Sequence, residues 1–140
     1  MPYPALILAF AGLLPFIALP VFVLTGTVGE LAAMHYFTQY SAVLLSFFGG
    51  VHWFDAISSQ KNNHQLYVAM LPTIVGWGAL IMGADVRVLG MLSIAYLLVL
   101  FYDKFTLALP KALIMSYISM RVILTTVVVL AHAAMIFLMR

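Results

Sequence analysis

The sequence predicts an all-α integral membrane bundle of five transmembrane helices, and three observations carry that class. Of the 140 residues 66% are hydrophobic and only 7% are charged, where a water-soluble domain carries roughly a quarter. The mean hydropathy is +1.16, too apolar for a surface that faces water. The apolar residues fall into five continuous runs, each near the ~20 residues a helix needs to cross a hydrocarbon core. None of the runs alternates with the period of two expected of barrel strands. The chain therefore reads as one transmembrane domain over 1–140, with no room for an extramembrane domain. The same composition sets aside a disordered tail, a nucleic-acid binder and an ordinary soluble enzyme.

The first span is predicted over about 4–24. Pro15 and Pro20 each remove a backbone donor and free a carbonyl one turn earlier, which reads as a kinked scaffold helix or as a carbonyl offered to a polar cavity. The second span, about 38–57, repeats small residues every fourth position at Ala42, Ser46 and Gly50, with Gly49 beside them. Such a stripe lets helices approach closely where lipid gives them no hydrophobic reason to associate. The third and fourth spans, about 66–82 and 86–102, form a hairpin across Gly83-Ala84-Asp85, and the fifth covers about 112–139. The intervening segments, predicted as loops, hold Glu30, His35, Lys61-Asn62-Asn63, His64, Asp103 and Pro110.

Five spans put the termini on opposite sides. Lys61, Lys104 and Lys111 share the N-terminal side, against Arg87 and Arg140 on the other. The positive-inside rule then places the N-terminus in the cytoplasm, and a bacterial inner membrane is the expected location. No Lys or Arg precedes the first apolar run, so it does not read as a cleaved signal peptide. With no cysteine, disulfide frameworks, thiolate catalysis and cysteine metal sites are not expected.

Ionisable side chains inside a span are expensive unless paired or wetted, which makes them the functional pointers here. Arg121 and His132 are eleven positions apart and fall within about 20° of one another on a helix, with Thr125 between them. Ser41 and His52 repeat that spacing in the second span; Asp55 follows His52 by three, and Tyr96 and Asp103 share a face of the fourth. Reading depth along alternating helices brings His52, Asp55, Asp103 and Arg121 to one level near the cytoplasmic side. A buried Arg121 calls for a carboxylate, either Asp103 or Asp55. The candidate ligand- or ion-binding residues are thus His52, Trp53, Asp55, Asp103, Arg121, Thr125 and His132. No catalytic residues, metal site or cofactor are expected. His52 and His132 lie at different depths, which disfavours a bis-histidine haem, and no lysine lies inside a span to hold retinal. Trp53, Tyr67, Tyr102 and Tyr117 fall at headgroup depth, while Trp77, mid-span, reads as packed within the bundle.

Gly49-Gly50-Val51-His52-Trp53, Pro72 and Trp77, and Leu109-Pro110 followed by Arg121 and Leu124-Thr125 together resemble domain-of-unknown-function family 3429. That family of small multi-pass membrane proteins includes a human mitochondrial transmembrane protein. The chain departs from the pattern at Phe54 and Asp55, directly after the Gly-Gly-x-His-Trp segment. The resemblance implies a compact multi-span fold in a bacterial inner or mitochondrial membrane, puts His52, Trp53 and Arg121 among its shared residues, and implies no reaction.

Two functions are expected from these features. The first is a non-enzymatic protein whose polar cavity, walled by the second, fourth and fifth spans, binds or passes a small solute, ion or proton. In it His52 is the titrating group, because imidazole charge ordinarily changes near physiological pH. The second is a structural or assembly partner of a larger membrane complex, with the polar residues serving helix packing only. A lipid or quinone binder is a third possibility and needs a lateral opening between helices. The expected partners are membrane lipids and a homo-oligomer or larger complex, without nucleic acid.

Overall fold

The computed structural model of the protein describes residues 3–59, 64–107 and 111–139. Lys61, Asn62, Asn63, Leu109, Pro110 and Arg140, on which part of the turn, orientation and resemblance readings rest, lie outside the described residues. Among the described residues seven helices form in chain order: α1 (Tyr3–Ala11), α2 (Leu14–Leu24), α3 (Glu30–Ser58), α4 (His64–Val68), α5 (Leu71–Met82), α6 (Val86–Thr106) and α7 (Lys111–Met139). Among the described residues these make five segments long and apolar enough to cross a membrane, with α1 and α2 sharing the first and α4 and α5 sharing the third.

Both broken spans owe their break to proline. Pro15 opens α2 and Pro72 opens α5, positions where the missing N–H removes no helical bond. In the first span the carbonyl of Gly12 receives the Tyr40 hydroxyl at 2.7 Å. The kink is thus held by a side chain of the next span, and this carbonyl is not left facing a polar cavity.

Two boundaries differ from those read in the sequence. The second span begins at Glu30, not near residue 38, so Glu30 and His35 are helical. Ala33, Met34 and Phe37 in the added turns are buried, and they continue the stripe of Thr38 and Ser41 at helical spacing. An acidic residue in a first turn also suits the helix dipole. The fourth span runs on to Thr106, which places Asp103 inside the helix, not in a loop.

The long α3 is the organising helix. It packs most extensively against α5 and also touches α2, α4 and α6, while α6 and α2 carry α7. Along the third span the buried residues are Gln65, Ala69, Pro72, Gly76 and Ala79, a single stripe at alternating steps of four and three. Trp77 sits next to Gly76 in that stripe and so points about 100° away from it. It is 65% exposed and faces outward, contrary to the packed position read from its mid-span location. A belt of large exposed apolar side chains, among them Ile7, Phe54, Ile81 and Phe137, covers the outside as a lipid-facing surface requires.

Asp85 caps α6. Its Oδ1 accepts the Arg87 backbone N–H at 2.9 Å, and its Oδ2 accepts from the Arg87 guanidinium at 3.1 Å. The hydrogen bond from the Arg87 side chain, then that from its backbone, holds the Asp85 carboxyl below its ordinary value. A carboxylate whose folded value is depressed stabilises the fold above its unfolded value and loses that contribution as pH falls through the folded one. Replacing Asp85 by alanine is therefore expected to lower Tm by a few degrees near neutral pH. Thermal melts should show the difference from the parent shrink below about pH 4.

Candidate functional site

The polar residues gather into one buried line on the side of the bundle where α3 and α6 end and α4 and α7 begin. At its centre Asp103 uses both oxygens. Oδ1 meets His52 Nε2 at 2.5 Å and Oδ2 accepts from Arg121 Nε at 2.7 Å. Arg121 Nη1 goes on to the Thr125 hydroxyl at 3.2 Å, and the guanidinium carbon lies 3.7 Å from the centroid of the Phe48 ring, within cation–π range. On the other side, Gln65 Nε2 approaches His52 Nδ1 at 3.0 Å and donates to Asp55 Oδ2 at 2.9 Å. His52, Asp103, Arg121 and Thr125 are each no more than 2% exposed.

This line fixes the histidine tautomer. Turning the Gln65 amide over would aim its oxygen at the Asp55 carboxylate, so Asp55 keeps the amide nitrogen in place. The nitrogen then donates to Nδ1, which must be the bare acceptor, and the ring proton sits on Nε2 facing Asp103. Tyr102 lies against the His52 ring with centroids 4.8 Å apart, and its hydroxyl is 2.6 Å from His64 Nδ1.

A second polar layer lies further along α3 and α7. His132 Nδ1 is 2.7 Å from the Val128 carbonyl, so it donates there, and its Nε2 receives the Ser41 hydroxyl at 2.7 Å. The Tyr96 hydroxyl donates to the Ser41 carbonyl at 2.5 Å. Phe16, Phe37 and Tyr96 surround the imidazole. His52 and Ser41 are eleven residues apart on α3, about 16 Å along its axis, so the two histidines belong to separate layers.

Of the residues singled out in the sequence, His52, Asp55, Asp103, Arg121 and Thr125 are brought together, and Asp103 is the partner of Arg121. His132 is not among them, since its ring is held by Ser41. Trp53 is also apart, 45% exposed, because it follows the inward-facing His52 by one position. Two participants went unread. Gln65 precedes the third span read from the sequence at about 66–82, yet its spacing to Ala69 and Pro72 makes it the first member of a buried stripe. Phe48, one turn before His52, carries no polar atom that would have drawn notice.

The helices that supply the line include the expected three, but among the described residues they do not enclose an open polar cavity. Among the described residues the polar side chains bond mainly to one another, with Arg121 Nη2 left over, and the hollows beside them are lined mainly by apolar side chains. One groove of about 470 Å³ lies between α1, α3, α6 and α7, with Arg121 and Thr125 in its wall. Another of about 360 Å³ lies between α5 and α6 and reaches His52 and Tyr102. Asp55 borders a third depression with Ser58 and Leu107 near the end of α3. The polar line therefore runs from the edge of the bundle to the wall of a groove within it.

A family model described as protein of unknown function (DUF3429) matches residues 1–137. Transmembrane protein 69 of Xenopus tropicalis is 35% identical over 136 residues, covering 91% of this chain and 51% of the relative. The chain thus spans about half the length of that curated relative. No solved structure matches the chain. The match over nearly every residue, with five membrane-crossing helices behind it, makes this chain a multi-pass membrane protein that belongs to the DUF3429 family.

Proposed function

We propose that this protein is non-enzymatic and takes up and releases protons inside the membrane, with His52 and Asp55 as the exchanging pair. The observation that carries this reading is the continuous line Asp55–Gln65–His52–Asp103–Arg121. Gln65 couples the two titratable ends. With the amide as it stands, its nitrogen serves a bare Nδ1 and an ionised Asp55. Turned over, its oxygen accepts from a protonated Nδ1 and from the Asp55 carboxylic acid. Either group protonated alone leaves one unfavourable contact, so the pair changes state together. The Asp103–Arg121 pair gives His52 a fixed neighbour, with Asp55 the end nearest the edge of the bundle. We place the N-terminus on the cytoplasmic side of an inner membrane, which Lys104 near the end of α6 supports.

The direct pairing of Arg121 with Asp103 also suits a helix tie inside a larger assembly, and one measurement separates the two readings. In pH-difference infrared spectra of protein in lipid nanodiscs, acidification should produce a carboxylic acid band together with a shift of a side-chain amide band. Because the pair changes state together, Asp55→Asn and His52→Gln should each remove both, with the helical signal unchanged. Spectra of His52→Gln and Gln65→Leu indistinguishable from the parent's would leave only the tie.

A further inference from the structure

The groove beneath α1 has features that neither the family match nor proton exchange at His52 explains. Its volume, about 470 Å³, falls within the range of small-molecule sites. α1 lines it with Ala5, Leu8 and Ala9, and Gly12 follows just after its end; α1 itself has no buried residue, so this wall is only lightly attached to the bundle. In the opposite wall lies one charged side chain, Arg121, 1% exposed. Among the described residues its Nη2 is buried without a hydrogen-bond partner. A buried donor left unmade is costly, more so on a charged group, and here it belongs to a residue that lines an empty-walled apolar groove.

Two facts narrow what would accept that hydrogen bond. Asp103 already balances the Arg121 charge, so an anionic headgroup would bring an unmatched charge into hydrocarbon, whereas a neutral carbonyl would not. The groove wall near Arg121 is aromatic, with Phe48, Tyr96 and Tyr117, which suits a flat ring. We infer that this groove binds a lipid quinone, its uncharged ring against these aromatics, one carbonyl accepting from Arg121 Nη2, and its tail passing along α1 into lipid.

The inference does not depend on proton exchange at His52, since its readout is ligand binding. Purified protein in nanodiscs is titrated calorimetrically with decylubiquinone, with decylbenzene as the same tail without carbonyls and palmitate as the anionic head. Saturable quinone binding is expected, with both controls weaker by about tenfold or more, the scale of one charge-assisted hydrogen bond. Ala9→Phe, or Ala5→Phe should the first fail to fold, fills the groove and should abolish quinone binding at an unchanged melting temperature. Arg121→Lys should weaken the quinone alone. Equal binding of decylbenzene would make this a plain acyl-chain groove, tighter palmitate binding a fatty-acid site, and an undiminished affinity in the filled variants would move the ligand elsewhere; each overturns the assignment.

Discussion

Asp103→Asn should be among the most damaging single substitutions in this protein, lowering unfolding free energy by about 3–5 kcal/mol. The carboxylate is 1% exposed and serves two neighbours at once, His52 through Oδ1 and Arg121 through Oδ2. Its loss strands the guanidinium, itself 1% exposed, among side chains that cannot hydrate it, and a buried charge left without its partner is strongly unfavourable. Arg121→Met should do comparable harm for the opposite reason, leaving the carboxylate unmatched. The pair as a whole is a different matter, because two charges that leave together take their desolvation penalty with them. Asp103→Asn combined with Arg121→Met should therefore recover most of the loss, a strongly non-additive cycle. Denaturant unfolding in mild detergent reads all four corners. If the double variant lost the sum of the two single losses, neither side chain would depend on the other.

How far this could be read in advance turned on what each signal was made of. The five spans were legible because they rest on run length and apolarity alone, and the need of Arg121 for a carboxylate because a buried guanidinium has few partners to choose from, while the choice between Asp103 and Asp55 was settled only by the contact itself. Depth along alternating helices was enough to bring His52 and Asp55 to the same level. What escaped was local. Trp53 and Trp77 were placed by their depth, yet each sits one position from an inward-facing residue, His52 and Gly76, and one position is a rotation of about 100°. Gln65 was hidden by its polar surroundings in sequence, which resemble a loop, although a loop does not bury an amide completely. His132 shares a helix face with Arg121 but not a partner, because Ser41 on the neighbouring helix meets it first. Whether the hollow beside the line was polar could not be read at all, since that depends on whether the polar atoms satisfy each other.

The Gly49-Gly50 pair should separate these levels of reading most cleanly, because two adjacent and chemically identical residues are expected to respond in opposite ways. A methyl group built on Gly49 would sit 2.6 Å from the Ala69 carbonyl oxygen and 3.2 Å from Pro72. Both belong to the third span, and the first is backbone, which cannot swing aside. Gly76 presents the same contact in reverse, 2.8 Å from the Ala42 carbonyl oxygen. Around Gly50 there is nothing within 4 Å, although the fourfold repeat with Ala42 and Ser46 would have assigned that residue to the interface. Gly49→Ala and Gly76→Ala should each cost about 1–3 kcal/mol by forcing α3 from the third span. Gly50→Ala should be neutral or stabilising by up to ~1 kcal/mol through helix propensity. Unfolding midpoints in detergent decide this. The consequence reaches the polar line as well: Gln65 lies one turn before Ala69 on the displaced helix, so Gly49→Ala should also loosen its hold on His52 Nδ1. Equal effects at positions 49 and 50 would mean that the two helices do not meet through this glycine, and with that contact would go the geometry that keeps the His52 proton on the nitrogen facing Asp103.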